Sequence, residues 1–109
     1  AEAGAVEAVV AAMRAHGGAA GVQEWACNAL ANITPASRAR AAEAGAVKAV
    51  VAAMRAHGGA ADVQEFACGA LASITCDNPA NRARAAEAGA VEAVVAAMRA
   101  HGGAAGVQE

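Results

Sequence analysis

VQEWACNALANI, residues 22–33, is the stretch on which the reading of this chain turns. Val22, Ala26, Ala29, Leu30 and Ile33 fall at i, i+4, i+7, i+8 and i+11, which is one buried face of an α-helix. The stretch recurs as VQEFACGALASI, residues 63–74, and starts again as Val107-Gln108-Glu109. The two full copies differ at Trp25/Phe66, Asn28/Gly69 and Asn32/Ser73. Those positions are i, i+3 and i+7, so they make a single stripe on the helix face opposite the apolar one. A fixed core face with a changeable outer face is how a repeated module carries a binding surface.

The rest of the chain repeats as well, and repetition is read before local structure. AEAGAVEAVVAAMRAHGGAA opens the sequence, returns from Ala42 with Lys48 in place of Glu7, and returns again from Ala86. Glu2 and Glu43 are 41 residues apart, Glu43 and Glu87 are 44 apart, and the extra residues are Cys76-Asp77-Asn78, inserted between Thr75 and Pro79. An insertion confined to one loop leaves the helices in register. Each period predicts three helices. The first is short, N-capped by Ser37 or Asn81, and runs through Arg-Ala-Arg-Ala-Ala-Glu to Gly45 or Gly89, where a positive φ permits a sharp turn. The second, from Ala46 to about His57, carries Val47, Val50, Val51 and Met54 on one stripe and ends at Gly58-Gly59. The third begins near Asp62, which with Glu65 forms a candidate capping box, and Thr34-Pro35 or Asn78-Pro79 closes it.

Composition agrees with an all-α chain. Alanine dominates the hydrophobic fraction of 58%, the chain has only two prolines, and few bulky apolar residues are available, so the core is thin and close-packed. The formal net charge is −2, and the basic residues Arg14, Arg38, Arg40, Lys48, Arg55, Arg82, Arg84 and Arg99 are scattered among ten acidic ones. Neither nucleic acid nor a membrane is an expected partner: no basic stripe forms, and no apolar run is long enough to span a bilayer. Three cysteines, an odd number, argue against a disulfide framework and for a reducing, cytoplasmic or nuclear setting if the chain comes from a cell.

With a period in the low forties, a short helix ending in Ala-Gly-Ala-Val and two longer helices after it, the chain resembles the armadillo repeat family. NRARAAEAGAVEAVVAAMRA and VQEWACNALANI carry the resemblance, which covers nearly the whole chain. It implies a right-handed α-solenoid of stacked three-helix units over residues 1–109: a partial repeat 1–34, a full repeat 35–78 and a partial repeat 79–109. It also implies that the third helices line a concave groove for extended peptides, where an Asn ladder pairs with the peptide backbone and an aromatic one turn earlier packs its side chains. Asn32 stands at the ladder position and Ser73 replaces it in the next repeat. Asn28 and Gly69 stand where the family has its aromatic, and Trp25 and Phe66 lie one turn earlier still.

The candidate partner-binding residues are therefore Trp25, Asn28, Asn32, Phe66, Gly69 and Ser73, the bland alternative being that they face solvent without a ligand. His16, His57 and His101 each precede Gly-Gly at a helix C-terminus, where an imidazolium is favourable without any ligand. At a helix spacing of roughly 8–10 Å they cannot share one metal ion, so no metal and no cofactor is expected. Cys27 and Cys68 read as small core residues and Cys76 as the accessible thiol. No orienting third residue accompanies a Cys–His pair, so the chain is not expected to be an enzyme. The paired arginines of the short helices read as a solvated convex face, and the Gly-Gly pairs as turns rather than phosphate loops.

Stacked repeats leave an apolar face at each end unless a polar cap covers it. The sequence has no cap pattern, and its two end faces are complementary by construction. Homo-oligomerisation through open repeat ends is thus the alternative to peptide binding, whether the chain is a natural fragment or a designed repeat.

Overall fold

The computed structural model describes the backbone of residues 2–76 and 78–101, and side chains from residue 5 onward. The described residues are all-α, with no strand among them: α1 (Glu2–Ala15), α2 (Ala20–Ala31), a 3-10 turn (Pro35–Ser37), α3 (Arg38–Glu43), α4 (Ala46–Ala56), α5 (Ala61–Thr75), α6 (Pro79–Glu87) and α7 (Ala90–Ala100). Val107-Gln108-Glu109, the third start of the repeated stretch, lies outside the described residues.

The apolar stripes predicted for the middle of the chain are buried. Val47, Val50, Val51 and Met54 of α4 pack against Val63, Ala67, Ala70, Leu71 and Ile74 of α5 in one core. Lys48 and Arg55, one position off the stripe, are exposed. Gly45 and Gly89 take φ of 88° and 86° and turn the chain from the short helix into the next. The guanidinium of Arg14 lies over Gly45 and that of Arg55 over Gly89, where a side chain would stand. A residue with a Cβ at either position would have to adopt the left-handed region, at roughly 1–2 kcal/mol, and also displace the arginine.

The helix starts differ from the sequence reading in three places. Asn78, not Asn81, caps α6: its Oδ1 accepts the N–H of Asn81 at 3.0 Å, and Pro79 supplies the first helical residue. Asn81 is buried instead, and its amide donates to Arg38 O at 3.1 Å and to Ile74 O at 3.0 Å. Ser37 is the last residue of a 3-10 turn begun by Pro35, so its backbone is already helical and its hydroxyl makes no cap bond. Asp62 and Glu65 form no capping box, because α5 starts one residue earlier, after Ala60, which has no side chain to cap with. The insertion has a local effect too. Without it α2 ends at Ala31, whereas α5 continues to Thr75, whose hydroxyl donates back to Leu71 O at 2.7 Å.

Polar side chains tie the helices together at equivalent places along the chain. Gln23 is buried and donates to Met13 O at 3.1 Å and His16 O at 2.9 Å, joining the start of α2 to the end of α1. Gln64 does the same between α5 and α4, donating to Met54 O at 3.0 Å and His57 O at 2.9 Å. His57 Nε2 meets Gly17 O at 2.8 Å, and His101 Nε2 meets Gly58 O at 2.7 Å. The step from α1 to α4 is thereby repeated from α4 to α7.

Candidate functional site

Five of the six stripe residues lie on α2 and α5 and Asn32 caps the end of α2; among the described helices these two pack on each other most extensively. A Cβ placed on Gly69 would sit 3.6 Å from Ala31 Cβ, an ordinary contact, so this glycine faces α2 without being required for the two helices to approach. The two helices present their stripes unequally. Trp25, Asn28 and Asn32 are exposed on α2, whereas Phe66, Gly69 and Ser73 are half-buried on α5, with Phe66 packed against the core. Trp25 is 57% exposed, a large apolar surface left in water. Asn32, the residue at the ladder position, is turned back on its own helix: its amide nitrogen donates to Asn28 O at 2.8 Å and to Asn28 Oδ1 at 3.3 Å. It ends α2, so the local bond satisfies a helix-terminal carbonyl, and only its Oδ1 remains to accept from a ligand.

Cys27 is buried, Cys68 half-buried and Cys76 exposed. Burial, with a smaller contribution from the neighbouring Cys68 thiol, pushes Cys27 up to about 12, and burial alone raises Cys68. A thiol held protonated in this way is a poor nucleophile at neutral pH. The unfolded chain loses the Cys27 proton above the ordinary value of 9.0 while the folded chain keeps it, so this stabilisation is complete below pH 9 and is lost as pH rises towards 12. Urea titrations should show about 2 kcal/mol less stability at pH 10.5 than at pH 8. The chain has no tyrosine to add its own titration in this window, and Cys27→Ala should flatten most of the slope. An unchanged slope in the variant would refute the assignment.

His57 and His101 serve packing through their contacts with Gly17 O and Gly58 O, while the His16 side chain is exposed. No group of three or more metal-ligating side chains occurs among the described residues, and no described helix is long and apolar enough to cross a membrane. On the short helices, Arg38 is half-buried and donates to Cys76 O at 3.3 Å, and Arg40 lies 3.8 Å from Glu7 in an exposed ion pair. A polar cleft of about 920 Å³ gathers Arg14, Lys48 and Arg84 with Glu43 and Glu87, so it carries both signs and selects for neither.

A second surface is apolar. A groove of about 630 Å³ runs between the outer side of α5 and α7, lined by Cys68, Leu71, Ala72, Val91, Val95 and Met98 among others. Val91, Val95 and Met98 are 63%, 38% and 42% exposed, although Val47, Val51 and Met54, the same letters one repeat earlier, are buried. Reading α7 by its sequence alone makes these three core residues; the covering helix that α5 supplies to α4 is not found against α7 among the described residues. Sequence reasoning gives no role to the clamp residues Gln23 and Gln64 and reads Asn81 only as a cap, though the identical Val-Gln-Glu in each copy is a signal for the glutamines. Comparison with family models, with curated proteins and with solved structures finds no match to the chain.

Proposed function

We propose that the chain is a non-catalytic binding scaffold, an α-solenoid of armadillo type whose α2–α5 surface takes an extended peptide or protein segment. The observation that carries this reading is the exposure of Trp25 beside the amides of Asn28 and Asn32. An exposed aromatic among hydrogen-bonding side chains is the composition of binding surfaces. The repeating ties through Gln23, Gln64, His57 and His101 support the solenoid part of it. The raised thiols of Cys27 and Cys68 fit a scaffold better than an enzyme. Selection from a displayed library of random extended peptides should yield ligands whose binding quenches or shifts the emission of Trp25, the only tryptophan. Trp25→Ala should weaken such ligands at least tenfold, about 1.4 kcal/mol, as measured by titration calorimetry. Equal affinity in the variant would defeat the reading. A second reading, association of the chain with itself, is favoured by the open face of Val91, Val95 and Met98.

A further inference from the structure

Residues 1–24 and 86–109 are the same sequence without a single difference. α7 therefore carries, over Ala90–Ala100, the residues that α1 carries over Ala5–Ala15, and the two helices differ only in what surrounds them. On α1, Val6, Val10 and Met13 are covered and buried, while Ala8 and His16 are exposed and Ala12 is half-buried. On α7 the pattern is reversed. Ala93 and Ala97 are buried, His101 reaches Gly58 O, and Val91, Val95 and Met98 are open. The face by which α7 sits on α4 is thus the face that α1 leaves free.

The two sides of the α2–α5 contact show the same complementarity. Val63, Ala70 and Ile74 of α5 are buried, whereas their counterparts Val22, Ala29 and Ile33 of α2 are half-buried, and Trp25 is more exposed than Phe66. On the far side of α5, Cys68 is half-buried and Ala72 exposed, whereas their counterparts Cys27 and Ala31 on α2 are buried and half-buried. Each surface lacks what the other could supply.

We propose that the α1–α2 pair of a second copy takes the seat of α7, with α1 replacing α7 residue for residue and α2 covering the outer face of α5. This rests on the self-association reading and names its occupant and geometry. When α7 leaves, the packing of Ala93, Ala97 and His101 on α4 is replaced in kind by Ala8, Ala12 and His16 of the incoming copy. The contact of α2 on α5 is new, and it repeats the most extensive helix contact among the described residues. On the side that docks, Trp25 stands in place of Phe66 and Asn28 in place of Gly69. A Cβ at the Gly69 position meets its neighbour at ordinary distance, and Asn28 is already exposed on α2. Because donor and acceptor are different surfaces, the association is head-to-tail and can propagate.

Sedimentation velocity of the full chain from about 1 to 500 μM, spanning the range typical of weak complexes, is the test, with Trp25 emission followed in parallel. The sedimentation coefficient should rise with concentration, and the emission should move to the blue as Trp25 enters the setting that Phe66 occupies. Ala72→Arg blocks the acceptor and Ala8→Arg blocks the donor. Both positions are exposed in the single chain, so each variant should retain its helicity and melting temperature while associating at least tenfold more weakly. Mixing the two variants leaves one intact donor and one intact acceptor, and should restore a dimer that grows no further. A parent that stays monomeric throughout overturns both this arrangement and self-association. Association that survives either variant, or that the mixture fails to restore, overturns the exchange of helices while leaving self-association in place.

Discussion

Met54→Ala is expected to lower the unfolding free energy by about 3 kcal/mol, and Met98→Ala, measured at low micromolar concentration, by well under about 1 kcal/mol. The two methionines stand in the same local sequence, Val-Val-Ala-Ala-Met-Arg-Ala-His-Gly-Gly, at the same place on equivalent helices. Helix propensity, local charge and unfolded-state behaviour are therefore matched, and only the surroundings differ. Met54 is 3% exposed between α4 and α5, whereas Met98 is 42% exposed. Truncating the first removes buried methylenes and leaves a cavity that the alanine-rich neighbours have little bulk to refill; truncating the second mostly removes surface already in water. Chemical denaturation of the two variants in parallel is the measurement. Equal losses would mean that the α7 face is covered in solution, and at low concentration that cover could come only from within the chain.

The same pair marks how far the sequence could be read. Period 3.6 patterning and the repeated blocks were enough for the all-α class, and the position of Gly45 and Gly89 between helices was enough for their positive φ. Such features are local, and a local pattern is visible in one dimension. What the letters could not separate is Val47 from Val91 or Met54 from Met98, because identical letters have identical propensities and differ only through their neighbours. Capping was legible only in part. Ser37, Asn81 and Asp62 are all residue types that cap helices, yet Pro35 starts a 3-10 turn ahead of Ser37, Pro79 starts α6 ahead of Asn81, and α5 begins before Asp62. In each case the helix begins upstream, and a side chain already inside the first turn cannot cap it. The stripe was legible as a face but not in its exposure. Trp25 is in water while Phe66 is half-buried, because α5 has α2 beside it on the side that Phe66 and Gly69 share.

Gln64→Glu is expected to be among the most damaging single-atom-scale changes, costing about 3–5 kcal/mol at neutral pH. A chain of this length has roughly 5–15 kcal/mol of stability in total, so the loss is a large part of it. Gln64 is buried, and its amide nitrogen donates to two carbonyls at the end of α4, Met54 O at 3.0 Å and His57 O at 2.9 Å. Those carbonyls carry the negative end of the helix dipole, so a donor is required there and an anion is repelled. An ionised carboxylate offers only acceptors, whereas its protonated form can donate to one of the two carbonyls. Folding therefore raises the pKa of the introduced carboxyl above its unfolded value of about 4.3. The sign is then fixed: relative to the parent, the variant should be least impaired below about pH 4 and lose ground as pH rises through the raised value. The ring of His57 is directed to Gly17 O at 2.8 Å and is not positioned as a counter-charge for it. Gln64→Met separates the two contributions. It removes the donor without adding charge, should cost about 1–3 kcal/mol, and should track the parent across the same pH range. Urea midpoints of parent and both variants from about pH 3.5 to 7.5 give the comparison. A Gln64→Glu variant no more sensitive to pH than Gln64→Met would show that the side chain reaches water, and that α4 and α5 are not held together by this clamp.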